Sequence, residues 1–347
     1  MSKQKRRPRP TDPPVLKARD PGDLLAVVPY QLGFHPADSL VVVAVGAPRR
    51  RLGFTLRVDL PPPEYVAVAE QQVVEALERN DVHTVVLVAY SAEPAAAQPL
   101  VDRVLGQLDA AGIEVLEALR ADGRRWFSYR CQESCCPVEG TPYDNGCHPL
   151  TATAVAEGAV ALPDRATLER RVAPAGGAAA EAVRQSVTRV ELDLADPLAD
   201  PAGRAMLVRR LERRMREFVD AYVAEPRQLT DDDVANACVW AGLVTVRDAA
   251  WTAMSKDSAA VHGELWQQVL RLAVQRYVAP VASLAAFAAW LSGNGALAIC
   301  AVERALAADP DYSMALLVDG LLRQAVPPAL WQGVAQDTAG SSAEEVS

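Results

Sequence analysis

The sequence predicts an α/β N-terminal domain, with a mixed or mostly parallel sheet and flanking helices, followed by an all-α domain whose end is tetratricopeptide-like. Three observations carry this expectation. Residues 39–45 and 84–89 are continuous apolar runs rich in valine, the pattern of strands buried on both faces. Segments with helical spacing alternate with such runs in the first half of the 347-residue chain, as strand–crossover–strand units require. Beyond residue 202 almost every segment has helical spacing and the breaks are short, which favours antiparallel neighbours. A chain of this length exceeds the usual reach of one hydrophobic core, so two domains are expected.

In chain order, residues 1–14 mix Lys3, Lys5, Arg6, Arg7 and Arg9 with prolines and predict a disordered basic tail. The α/β domain is expected over 15–195. Asp20-Pro21-Gly22-Asp23 opens a helix through Val28, with Pro21 suited to its first turn. Residues 33–38 form a loop, 39–45 the first strand, and 54–60 an alternating second strand ended by Pro61-Pro62-Pro63. Val66, Ala69, Val73 and Leu77 share one face of a helix over 64–79. A strand at 84–89, a helix at 99–111 closed by Gly112, and strands at 113–118 and 126–129 follow. Residues 150–160 and 165–172 are helical in pattern, 174–177 a break, and 196–201 the linker.

The helical domain is expected over 202–330. Its first helix, 202–223, is amphipathic and arginine-rich. Thr230 caps the next, where Asp231, Asp232 and Asp233 complement the helix dipole. Further helices are expected near 244–254, 259–277, 281–291, 295–308 and 313–325, before a second disordered tail at 331–347. Ala298, Val302, Ala305 and Pro310 sit at the offsets of the second helix of a tetratricopeptide-type repeat, and Ala315 and Gly320 hint at another. A plain helical hairpin with small residues at its crossing produces the same spacing.

The net charge of −9 argues against broad binding to nucleic acid or anionic membrane. Only the basic tail at 1–14 suits a nucleic-acid contact, and a weak one. The uncharged stretch 277–302 is broken by Pro280 and Ser292-Gly293-Asn294-Gly295, and its clean part, 281–291, falls short of the roughly 20 residues a membrane span needs. The basic start leads into Thr11-Asp12-Pro13-Pro14 and not into an apolar run. A cytoplasmic setting without membrane insertion is therefore expected, where thiols stay reduced.

Motifs distributed along the chain resemble a family of actinobacterial proteins known as a domain of unknown function, DUF4192. They are Asp20-Pro21, Leu24 to Pro29, Gly33-Phe34-His35-Pro36 and Asp38-Ser39-Leu40-Val41-Val42, then Arg57, Asp59-Leu60-Pro61, Trp126, Ser128, Cys131, Cys135-Cys136-Pro137, Gly140-Thr141-Pro142 and Pro163-Asp164-Arg165. The resemblance covers roughly residues 15 to 330 and implies a bacterial cytoplasmic protein. It implies no activity, and Cys147-His148 lies outside its pattern.

Reactive chemistry is concentrated between residues 131 and 148. Four of the six cysteines and one of the four histidines fall there: Cys131, Cys135, Cys136, Cys147 and His148. Cys131, one of Cys135 or Cys136, Cys147 and His148 could supply four zinc ligands, although the spacing lacks paired Cys-x-x-Cys knuckles. Cys131 with Cys135 or Cys136 could instead close a reversible disulfide, with Arg130 lowering the first thiol. The bland alternative buries the thiols as small hydrophobes beneath a turn shaped by Pro137, Gly140 and Pro142. Cys238 and Cys300, on apolar helical faces, read as core.

A second candidate is the early loop, where His35, Asp38 and Ser39 precede a buried strand and Arg57 and Asp59 lie on its neighbour. Asp38 and Ser39 equally suit plain turn chemistry. No P-loop, dinucleotide fingerprint, nucleophile elbow or His-Glu-x-x-His helix occurs. Two readings stay open. One is a non-enzymatic interaction or regulatory protein whose helical half docks a protein partner, with Trp240, Trp251, Trp266 and Trp290 as core or as interface anchors. The other is a metal-binding or thiol-redox protein, or an enzyme, built on the cysteine cluster. The missing catalytic motifs favour the first.

Overall fold

The structure, a computed structural model, describes residues 20–46, 51–156 and 158–331. The tail expected at 1–14 lies outside these residues, as does that expected at 331–347 except for Trp331, which is helical and stacks on Trp251. The chain divides into two compact units, Met1–Asp164 and Arg165–Ser347.

The first unit opens with α1 (Pro21–Leu32), capped by Asp20, whose Oδ1 accepts from the Asp23 N–H at 2.9 Å. The helix runs past Pro29, where the sequence suggested a stop, and ends at Gly33 with φ +79°. Residues from Leu24 to Pro29 are all buried, and burying that face outweighs the loss of one backbone hydrogen bond. Six strands then form one sheet: β1 (Ser39–Gly46), β2 (Arg51–Asp59), β3 (Thr84–Tyr90), β4 (Glu114–Ala121), β5 (Arg125–Ser128) and β6 (Thr141–Pro142), in the order β2-β1-β3-β4-β5-β6.

The sheet is mixed rather than mostly parallel. Only β3 and β4 pair in parallel, joined through α3 (Pro94–Ala110); every other pair is antiparallel. The crossover from β2 through α2 (Val66–Arg79) also returns a strand in the same direction, but β1 sits between the two and runs against both. The sequence shows the crossover and not that insertion.

Alternation along the strands sorts side chains onto two faces. Leu40, Val42, Leu87 and Ala118 pack beneath α2 and α3, while Val41, Val43, Val88, Leu119 and Trp126 pack against Leu24, Leu25 and Val28 of α1. Arg103 of α3 donates twice to Glu70 of α2, at 2.7 and 3.0 Å, and so ties the two crossover helices together. The helix expected from Pro99 starts earlier, because Pro94 occupies the first helical turn and Pro99 falls inside. A short helix, α4 (Pro149–Ala156), closes the unit.

Among its described residues the second unit is built of helices and short connections: α5 (Arg165–Arg170), α6 (Ala178–Ala199), α7 (Pro201–Ala224), α8 (Asp231–Ala241), α9 (Val244–Thr252), α10 (Ala259–Leu272), α11 (Val278–Leu291), α12 (Gly295–Ala308) and α13 (Ser313–Arg323). All residues of α11 are buried, and α8, α9, α10, α12 and α13 pack around it. The uncharged stretch 277–302 thus supplies the core helix of this unit, α11, and the first part of α12. Among the described residues no helix is long and apolar enough to cross a membrane.

The cap expected at Thr230 forms and is completed into a capping box, with Thr230 Oγ1 accepting from Asp233 N–H at 3.2 Å and Asp233 accepting from Thr230 N–H at 3.0 Å. The stretch 196–201, read as a linker, is the last turn of α6 and the start of α7. Asp200 alone breaks the helical path, and its side chain accepts from Gly203 N–H at 2.8 Å. Its Pro and Asp residues are helix punctuation. Ala298, Val302 and Ala305 are buried where α12 meets α11 and α13. Arg247, almost fully buried on α9, donates to Asp248 and to the Tyr312 hydroxyl ahead of α13.

Candidate functional site

Strand direction decides where each candidate residue falls. β5 runs against β4, with Ala121 opposite Trp126 and Leu119 opposite Ser128. The segment after Ser128 therefore emerges at the edge where β3 and β4 begin, not at the carboxyl edge where α/β sites usually form. There the chain makes a braced loop. Ser128 Oγ accepts from the N–H groups of Arg130 and Cys131, at 3.1 and 3.0 Å, and fixes the first turn. Cys136 N–H donates to Glu133 O, and Gly140 N–H to Pro137 O, each at 2.8 Å. The Arg125 guanidinium donates to the carbonyls of Glu139 and Gly140 at 3.2 and 2.7 Å, which holds the loop's far end.

This loop brings Cys131, Cys135 and Cys136 together. Cys131 Sγ lies 3.7 Å from Cys135 Sγ, which lies 3.9 Å from Cys136 Sγ. Their sulfurs all lie within 4.8 Å of one another and, among the described residues, are the one such convergence of potential metal ligands. Tetrahedral zinc with Zn–S bonds of about 2.3 Å places its sulfurs about 3.8 Å apart. Two of the three sulfur separations therefore match an edge of a zinc–thiolate tetrahedron, and the third, Cys131 to Cys136, is within 4.8 Å.

Their proton affinities diverge. The Glu133 backbone N–H, followed by the Cys136 and Cys135 thiols, holds Cys131 below the ordinary thiol range. Burial, reinforced by the neighbouring sulfurs, pushes Cys136 up to about 12. Arg130, expected to lower Cys131, turns instead to the Val115 carbonyl.

The rest of the expected ligand set does not join them. β6 carries the chain back along β5, with Thr141 opposite Trp126, and so delivers Cys147 and His148 away from the thiols. Cys147 is exposed. His148 Nε2 lies 3.3 Å from Asp23 of α1, and its Nδ1 accepts from Leu150 N–H at 3.3 Å. Two adjacent residues past a strand reversal cannot follow the strand in both directions, and the sequence shows no sign of so short a strand. Cys238 and Cys300 are buried, and burial raises their thiols to about 12 and about 11.

The second candidate set also divides. His35 and Asp38 line a cavity at the carboxyl edge of β3 and β4, together with Tyr90, Asp122, Tyr143 and Asp144. Ser39 is fully buried beside it and its Oγ has no hydrogen-bond partner among the described residues. Arg57 instead donates to Asp59 at 2.5 Å and lies over the Phe34 ring. The tryptophans of the second unit are used inside it. Trp240, Trp266 and Trp290 are buried, and Trp251 stacks on Trp331 and meets Phe287 edge-on.

Fold and site together define a two-unit protein, a mixed-sheet α/β unit with a braced three-thiol loop and a helical unit organised around one buried helix. The chain belongs to the family described as "Domain of unknown function (DUF4192)", whose model matches residues 21–329. The family resemblance read from the dispersed motifs is therefore correct. No curated protein and no solved structure matches the chain.

Proposed function

We propose that the α/β unit is a metal-binding module in which Cys131, Cys135 and Cys136 hold one zinc-like ion. The observation that carries this reading is the mutual spacing of the three sulfurs, 3.7 and 3.9 Å along the chain of contacts. The bracing by Ser128 and Arg125 supports it, because a loop fixed at both ends has little ordering left to do on binding. The chemistry agrees. Cys131 is held below the ordinary thiol range, and a cation arriving there favours loss of the protons on its neighbours. Three protein ligands leave one coordination position for an external group, the pattern of an open site rather than a closed structural one. The interior placement of the tryptophans weighs against the alternative of a partner interface anchored by them on the helical unit.

Cobalt(II) reports this directly, since thiolate-to-cobalt charge transfer and tetrahedral ligand-field bands appear on binding. Titration of the reduced full chain is expected to saturate at one equivalent. Cys131→Ser, Cys135→Ser and Cys136→Ser should each weaken binding at least about tenfold, while Cys147→Ser and His148→Gln leave the spectrum unchanged. Apparent affinity should fall as pH falls, by up to about tenfold per pH unit for each proton released. Equal binding by the Cys131→Ser variant would sink the proposal.

A further inference from the structure

At the opposite edge of the same sheet lies a cavity of about 480 Å³. Four loops meet there: the one entering β1, the one leaving β3, the β4–β5 turn and the segment after β6. This is the carboxyl edge of the adjacent parallel strands β3 and β4, where α/β sheets place ligands.

The charge of the lining is one-sided. Asp38, Asp122 and Asp144 contribute carboxylates, and among the described residues no lysine or arginine lines the cavity. Asp122 is pinned, its Oδ1 accepting from Arg124 and Arg125 N–H at 2.8 and 2.6 Å. Burial pushes its carboxyl up, but those two N–H groups and nearby arginines outweigh it, so the group stays ionised. Partial burial lowers His35, which is then neutral at neutral pH and brings no positive charge. Among the described residues, three carboxylates and no cation line the cavity, with Arg120 behind its wall on the Ser91 and Ala92 carbonyls.

An independent feature points to a ligand. Tyr90, only 6% exposed, forms part of the wall, and its hydroxyl has no hydrogen-bond partner among the described residues. Ser39, its register partner across β1 and β3, projects from the same face and is likewise buried and unpartnered. A buried orphan hydroxyl destabilises the fold unless a ligand or water satisfies it. Tyr143, also in the wall, is close enough to Tyr90 to disfavour its ionisation. Two phenol rings beside carboxylates suit a cation with an apolar stem.

A bare metal ion is the poorer fit. Among the described residues only the three thiols converge within 4.8 Å, so these carboxylates stand around a space larger than an ion. We infer that this cavity, framed by Asp38, Asp122, Asp144, Tyr90 and Tyr143, binds a small organic cation, an amine or a guanidine.

The test titrates the full chain with 1,4-diaminobutane and with agmatine, beside magnesium chloride and sodium phosphate, by calorimetry. Saturable binding of at least one organic cation, with Kd below about 1 mM, is expected. Asp38→Asn and Asp144→Asn should each weaken it at least tenfold. Asparagine tolerates the positive φ of +41° at residue 38 and keeps the acceptor that Asp144 offers to Gly146 N–H, so both variants should fold. Tyr90→Phe separates a ligand role from a packing defect: loss of affinity without loss of melting temperature is expected. The inference is overturned if no organic cation binds saturably, if magnesium binds in preference, or if all three variants bind as tightly as the parent.

Discussion

Gly140→Ala is expected to destabilise the α/β unit by about 2–5 kcal/mol and to weaken metal binding in the same variant. Gly140 has φ +77°, a backbone conformation that costs a residue bearing a Cβ about 1–2 kcal/mol. A Cβ there would stand 2.6 Å from the Phe127 ring. That ring cannot simply swing away, because the Arg120 guanidinium lies 4.0 Å above its centroid. Overpacking of this kind adds about 1–3 kcal/mol. The movement that relieves it would draw the Gly140 carbonyl away from Arg125, which grips that end of the thiol loop. Gly112→Ala is the control. Its φ is +71°, but nothing lies within 4 Å of the added carbon, so only the backbone cost of about 1–2 kcal/mol should appear. Urea unfolding of both variants, read beside cobalt titration, checks the difference. Equal destabilisation by the two would remove the steric part of the argument.

The helical unit is expected to lose about 3 kcal/mol of stability between pH 6.5 and pH 4 through His262 alone. His262 is 1% exposed, its Nδ1 has no hydrogen-bond partner among the described residues, and burial lowers its imidazole to about 4, partly offset by Asp220. The sign follows from proton uptake. Below about pH 6.5 the unfolded chain binds a proton at this histidine, while the folded chain stays neutral until about pH 4. Folding is therefore penalised progressively as pH falls through that window, and the penalty is absent above it. Carboxylates held low by partners, such as Asp233 and Glu191, also lose stabilisation in acid. The informative quantity is thus the difference between the parent and His262→Met. The variant's stability should depend less steeply on pH between 4 and 6.5, even if its stability at pH 7 is lower. Parallel curves would show that His262 is not buried in its neutral form.

Much of the fold was legible because burial leaves periodic traces. The valine runs of β1 and β3 and the spacing of Val66, Ala69, Val73 and Leu77 on α2 each report a local face turned to the core. α6 left a comparable trace in Val183, Val187, Val190 and Leu194, at helical offsets that a reading focused on Pro197 and Pro201 passes over. β6 left none. It is two residues long, contains Pro142, and exists only through its partners on β5.

That short strand is why the cysteine cluster was only half legible. Cys131, Cys135 and Cys136 converge through a local turn, whereas the fate of Cys147 and His148 depends on which way a paired strand runs. The opposite cavity was less legible still. His35 and Asp38 were visible as a loop before a strand, but Tyr90, Asp122 and Asp144 join them only through the sheet order, a long-range property with no sequence period. The disagreement over Arg130 is of the same kind. Adjacency in sequence put its charge beside Cys131, and the turn at Ser128 pointed it at Val115.

The central claim is that Cys131, Cys135 and Cys136 hold a metal ion. Native mass spectrometry with alkylation mapping, on the full chain purified anaerobically and supplied with one equivalent of zinc, tests it most directly. The predicted result is a mass increase of a single zinc, with these three thiols protected and Cys147 alkylated. A metal-free mass with Cys131, Cys135 and Cys136 all alkylated, or a loss of two hydrogens reversed by reductant, would contradict it.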